Sequence, residues 1–147
     1  MREYETNPGL QWEKPNLEWE FGEIDRTAKE FSQGDKEKYG SIMWGFKNQF
    51  ENAQLEPLTD EVWSKLENTD SYNSVAPGDI EGAGKIAESN KRSWKQKLNS
   101  MRNGKPMPAP IIFEMNGRYH KVSGNTRLML ARALNSRPRV IFIRYKE

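Results

Sequence analysis

Five consecutive residues, Ser123-Gly124-Asn125-Thr126-Arg127, have the composition of an anion-binding turn. They follow a strand-like run and open a run of helix formers, so their place in the chain predicts a strand-to-helix turn. The start of a helix leaves backbone N–H groups without partners and carries the positive end of the macrodipole. Gly124 lets the backbone approach a ligand closely. Arg127 falls in the first turn, where a cation opposes the dipole at a cost of about 0.3–1 kcal/mol. An anion between the amides and the guanidinium removes that conflict. The competing reading makes Ser123 an N-cap, Gly124 a tight turn and Arg127 the partner of Glu114 or another carboxylate.

Other residues could serve the same chemistry. Arg118 and Arg132 are expected to assist in gripping a phosphate. His120 is the single histidine and stands three residues before Ser123. It is a candidate for acid/base work or a phosphate hydrogen bond, or else a structural residue. Asp79 and Glu81, in a loop expected near the turn, are the carboxylates to consider as general base or metal ligands; the alternative is turn chemistry with Asp79 as an N-cap. One His and no Cys argue against zinc. A metal here is expected to be Mg²⁺, held by one or two carboxylates together with substrate phosphates.

The elements that must position these residues lie between Pro110 and Tyr145. Ile111–Met115 and Arg118–Val122 read as strands joined by Asn116-Gly117, the strongest short hairpin signal. Asn125–Leu134 reads as a helix stopped by Asn135 and Pro138. Arg139–Tyr145 is dense in Val, Ile and Phe, as in a strand buried on both faces. The order is strand, strand, helix, strand.

Upstream, residues 1–22 hold Tyr4, Trp12, Trp19 and Phe21 with Pro8 and Pro15 and no sustained period. They read as an extended arm packing its aromatics on another surface rather than stacking on bases. Glu23–Ser32, Tyr39–Gln54 and a short segment from Thr59-Asp60 have apolar residues at helical spacing. Residues 68–84 form the clearest loop, rich in Asn, Asp, Ser, Gly and Pro. Lys85–Asn103 reads as one helix with Ala87, Trp94, Leu98 and Met101 on its apolar face and Lys91, Arg92, Lys95 and Lys97 mostly off it. That basic face could track a nucleic-acid backbone or simply be solvated.

From about Trp94 to Tyr145 the order of features resembles the ParB/sulfiredoxin superfamily. A helix ends in a glycine (SMRNGKPMPAP), a strand and hairpin follow, a G-x-x-R turn opens a helix (GNTRLMLARAL), and a last strand follows a proline (RPRVIFI). In that superfamily the turn contacts phosphates of a nucleotide or nucleic acid, and the resemblance implies that role for Gly124, Asn125, Thr126 and Arg127. It also implies a nucleotide as cofactor or substrate, with nuclease or nucleotide-dependent phosphotransferase activity among the possibilities. Thr126 stands where many relatives have an acidic or histidine residue, a departure that bears on nuclease and CTP-hydrolysing activity. Sulfiredoxins use a cysteine in this turn, and this chain has none.

The chain has 147 residues, enough for one compact domain. It carries 35% hydrophobic residues, no cysteine and no apolar run long enough for a membrane span, which suggests a cytoplasmic protein without membrane contact. The net charge of +2 hides an asymmetry. Residues 1–88 hold 9 Lys and Arg against 19 Asp and Glu, a net −10, while residues 89–147 hold 14 against 2, a net +12. A basic segment that carries an anion turn is the electrostatic footprint of a phosphate-bearing partner, nucleic acid or nucleotide. The two halves could equally attract each other. The expected fold is α+β: an acidic, mainly helical region over residues 1–84 and a basic module with a small mixed sheet over residues 85–147. The functions in view are an enzyme acting on phosphate-bearing substrates, a non-catalytic DNA- or nucleotide-binding module, or a protein-interaction fold.

Overall fold

Asparagine and glycine at 116 and 117 make the turn on which the sheet is built. Both lie in the left-handed region, at φ 52° and 79°, the geometry that a two-residue hairpin loop requires. The structure, a computed structural model, describes residues 10–146, so Tyr4 and Pro8 of the expected arm lie outside the described residues.

In chain order the elements are β1 (Trp12–Glu13), α1 (Phe21–Ser32), α2 (Lys36–Asn52), β2 (Glu56–Pro57), α3 (Asp60–Lys65), α4 (Ile80–Ser89), α5 (Lys95–Arg102), β3 (Met107–Pro108), β4 (Ile111–Met115), β5 (Arg118–Ser123), α6 (Asn125–Ala133) and β6 (Arg139–Tyr145). A four-stranded mixed sheet has the order β2-β6-β4-β5, with β4 and β6 parallel and the other pairs antiparallel. β1 and β3 form a separate two-residue parallel pair. The fold is α+β.

Apolar residues alternate between the two faces of β4 and β6, and each face is covered. Ile111, Phe113, Met115, Ile141 and Ile143 pack with Ile24, Ala28, Phe31, Ile42 and Phe46 of α1 and α2. Ile112, Val140 and Phe142 pack on the other side with Leu58, Trp63, Leu66 and Leu128. Phe113 sits edge-on to Phe31 at 5.0 Å and stacked on Phe46 at 5.1 Å. The acidic N-terminal half therefore supplies one whole layer of the core, and the expected division at residue 84 cuts through α4.

The expected single helix over Lys85–Asn103 is two helices. α4 ends at Ser89, Lys91 takes φ 56°, and α5 begins at Lys95. The reversal lets the Trp94 ring fold back onto Gly84, where an added Cβ would come within 2.5 Å of it. The indole N–H donates to Glu88 at 3.2 Å. Helical periodicity puts Ala87 and Trp94 on one face in either case, so it does not reveal the break. α4 also takes in the last five residues of the expected loop, with Asp79 as its N-cap. In the arm, Trp12 packs against the cluster around Leu98 and Leu130, but Trp19 is 83% exposed and Phe21 is also exposed, against the expected packing.

Gly84→Ala should push the indole off its seat and cost about 1–3 kcal/mol, as overpacking of a tight contact does. Urea denaturation followed by tryptophan fluorescence measures it; a variant as stable as the parent would show that the Trp94 contact does not matter.

Candidate functional site

β5 becomes α6 across a single residue. Gly124 takes φ 97° and ψ 24°, and a Cβ there would lie 2.8 Å from the Cβ of Pro110, so both the conformation and the space require glycine. Gly124 occupies the N-cap position, and no side chain caps the helix. Ser123 is thus the last residue of the strand and not a cap. Its side chain is buried, the residue 6% exposed, and its hydroxyl has no hydrogen-bond partner.

This turn forms one wall of a cleft of about 490 Å³. Lys121 and Ser123, two apart on β5, line it together with Asn125, Thr126 and Arg127 of α6. The opposite side comes from elsewhere: Glu20 and Glu23 with Arg26 from the start of α1, Arg92 and Ser93 from the α4–α5 reversal, and Lys97 from α5. Five cationic side chains therefore meet two carboxylates. Arg26, Arg92 and Lys97 are exposed at the rim, whereas Lys121, 8% exposed, and the Arg127 side chain, 13% exposed, form the floor.

The floor is electrostatically under-compensated. Arg127 donates through Nη1 to the Pro108 carbonyl, and its Nη2 lies 3.8 Å from the Glu20 carboxylate, beyond hydrogen-bond range. Burial pushes its guanidinium below the ordinary value, and Glu20 only offsets this. Burial likewise pushes the Lys121 ammonium down, reinforced by Arg92, Arg127 and Arg26 and opposed by Glu23. No carboxylate of the described residues lies within ion-pair distance of Lys121. Such a cluster is stabilised by a bound anion, which supplies the missing counter-charge and accepts hydrogen bonds from uncapped amides.

The remaining candidates are placed as follows. Asn125 is held by its side-chain oxygen, which accepts from the Thr69 hydroxyl, and Asn68 lines the cleft, so the loop after α3 does reach the turn. Asp79 and Glu81 do not line it: Asp79 accepts from the Gly82 amide at 2.9 Å as the cap of α4, and Glu81 is an exposed partner of Lys85 at 3.8 Å. Arg118 is turned away as well, bound through two nitrogens to Glu67 at 2.7 and 3.0 Å and stacked over Phe31. Arg132 donates to the Val75 carbonyl at 2.9 Å, lies over the Tyr72 ring and does not line the cleft. Glu114, the imagined partner of Arg127, instead neighbours Arg144 at 3.8 Å.

His120 points to the other face of β5. Its ring edge meets Phe31, Nε2 lies 3.5 Å from Glu30, and Nδ1 lies 3.8 Å from Glu67 without a hydrogen bond. It borders a second cavity of about 520 Å³ that shares Glu23, Arg26 and Asn68 with the cleft. Burial lowers its pKa, against the pull of Glu30 and Glu67.

Sequence reasoning missed Lys121, Arg26, Glu20 and Glu23 as site residues. Lys121 had a partial signal in standing two positions before Ser123 on the same strand; a β-bulge opposite Ile111 and Ile112 interrupts the alternation there, and Lys121, Val122 and Ser123 all line the cleft. The α1 residues had none. Comparison with protein-family models, with curated proteins and with solved structures finds no match.

Glu20 acts as an internal counter-anion. Glu20→Gln should tighten the binding of inorganic phosphate by about fivefold, the equivalent of the ~1 kcal/mol that a weak ion pair is worth. Isothermal titration calorimetry reads this directly; weaker or unchanged binding would remove Glu20 from that role.

Proposed function

We propose that this protein binds the phosphate group of a nucleotide or nucleic acid in the cleft at Ser123–Arg127. The observation that carries the reading is the set of uncapped α6 amides beside a buried Lys121 that has no carboxylate within ion-pair distance and a loosely paired Arg127. The resemblance of the strand–turn–helix to the ParB/sulfiredoxin pattern supports the same ligand class. The cleft volume of about 490 Å³ suits a small ligand, and its cations converge on one concavity instead of forming a stripe. A free nucleotide therefore fits better than a duplex.

A catalytic role is the second reading. It is favoured by His120, which shares Glu23, Arg26 and Asn68 with the phosphate cleft through the adjoining cavity. A His with a depressed pKa is neutral near pH 7 and able to accept a proton. Nuclease or phosphotransferase chemistry would need the substrate to span both cavities. The donor set does not suit a metal held by protein alone, because the two carboxylates of the cleft face five cations and neither Asp79 nor Glu81 reaches it. Mg²⁺ belongs to this reading only as the counter-ion that a nucleotide's phosphates bring with them. No helix among the described residues is long and apolar enough to cross a membrane. With no cysteine to oxidise, a cytoplasmic location fits a nucleotide-binding protein.

Nucleoside triphosphates, inorganic triphosphate and short DNA should separate in a thermal-shift and titration series. A nucleotide at 100 times its dissociation constant should add about 2.7 kcal/mol of stability. Arg92→Ala, at the exposed rim, should weaken binding without unfolding the chain. No stabilisation by any phosphate compound would overturn the proposal, and binding to DNA that falls steeply with salt would shift the ligand to nucleic acid.

A further inference from the structure

Lys121 is an unusual lysine for a merely electrostatic role. It sits mid-strand between His120 and Val122, its residue almost wholly covered, yet it lines an open cleft and its amine is not among the fully enclosed polar atoms. Charged groups face it from several elements. Glu23 and Arg26 come from α1, Arg92 from the α4–α5 reversal and Arg127 from α6, with Lys97 and Glu20 further around the same cleft. Cations outnumber carboxylates among these neighbours, and none of the carboxylates is within ion-pair distance of the amine.

We infer that Lys121 is a nucleophilic amine that forms an imine with aldehydes carrying a phosphate group, the phosphate seated on the α6 turn and the carbonyl presented to Nζ. The inference rests on the phosphate-binding reading of the cleft. Desolvation and surrounding positive charge favour the neutral form of a lysine, and the neutral amine is the nucleophile. The direction found for Lys121 agrees with this. In the step, the amine lone pair forms a C–N bond to the carbonyl carbon and the carbonyl oxygen takes up a proton. The carbinolamine then loses its hydroxyl as water, with Glu23 positioned in the same cleft to carry the proton. The product is an imine and one water, and nothing is oxidised or reduced. Lysines on the open surface, such as Lys36 and Lys47, lack both the crowding and the anchor.

The test uses the full chain with pyridoxal 5′-phosphate, trapping with borohydride, proteolysis and mass spectrometry at pH 7. Lys121 should be modified severalfold more than Lys36 or Lys47, and inorganic phosphate should suppress its modification while leaving theirs unchanged. Lys121→Arg, which keeps the charge, should lose the preferential label; a thermal transition at the parental temperature shows that the variant is folded. Labelling of Lys121 no greater than that of Lys36 overturns the inference. Equal labelling by pyridoxal lacking the phosphate also overturns it, because the anchor then plays no part. If inorganic phosphate raises the thermal transition while Lys121 stays unlabelled, the imine site falls and phosphate binding stands; if phosphate has no effect either, both fall.

Discussion

A strand that ends at Ser123 must become a helix within one residue, and Gly124 is where it does so. The positive φ and the 2.8 Å approach to Pro110 leave no room for a side chain. The same constraint determines what the site can be. With glycine at the N-cap, no side-chain oxygen satisfies the first amides of α6, so they stay available to an outside acceptor. A β-bulge in β5 opposite Ile111 and Ile112 breaks the strand's alternation just before the turn, and Lys121 and Ser123 both line the cleft beside the helix start. β4 and β6 run parallel, which obliges the chain to cross over through β5 and α6 and places this turn at one end of the buried sheet.

The charge asymmetry of the chain resolves into two different effects. Away from the cleft, the halves neutralise each other: Glu67 holds Arg118, Glu56 holds Arg144 and Asp60 neighbours Arg137. These pairs are part-exposed and contribute little stability each. In the cleft the balance is left incomplete, with Arg26, Arg92, Lys97, Lys121 and Arg127 set against Glu20 and Glu23. Incomplete compensation at exposed positions is ordinary; at a buried Lys121 it is costly, and a fold retains such a cost where a ligand relieves it.

How much of this was legible depended on sequence distance. The hairpin, α6 and β6 were readable because Asn116-Gly117, the run of helix formers and the Val/Ile/Phe run each act locally. The tight strand-to-helix turn was readable for the same reason, and Ser123 to Arg127 line one cleft. Asp79 and Glu81 were attractive because their loop was expected near the turn; the need of α4 for a cap and the exposed pair with Lys85 account for them instead. Arg118 and Arg132 were chosen by charge and proximity in sequence, but each is engaged by a residue of the segment between α3 and α4, Glu67 and the Val75 carbonyl. The break between α4 and α5 depends on Trp94 finding Gly84, and β1, β2 and β3 have only two residues each, too few for a pattern.

The wall opposite the turn has a consequence for ligand choice. Arg127 already has a carboxylate 3.8 Å away, so an incoming anion must displace or outcompete Glu20 for the guanidinium while also meeting Lys121 and the α6 amides. A singly charged anion exchanges one weak contact for another and gains little. On the proposed phosphate-binding reading, a doubly or multiply charged phosphate reaches Arg127, Arg92 and the amides at once, and Coulomb attraction grows with the product of the charges at the reduced effective dielectric of a half-buried site. On that reading, the acidic residues in the cleft act against weakly charged competitors, and the N-terminal half adds selectivity to the face of the core it supplies.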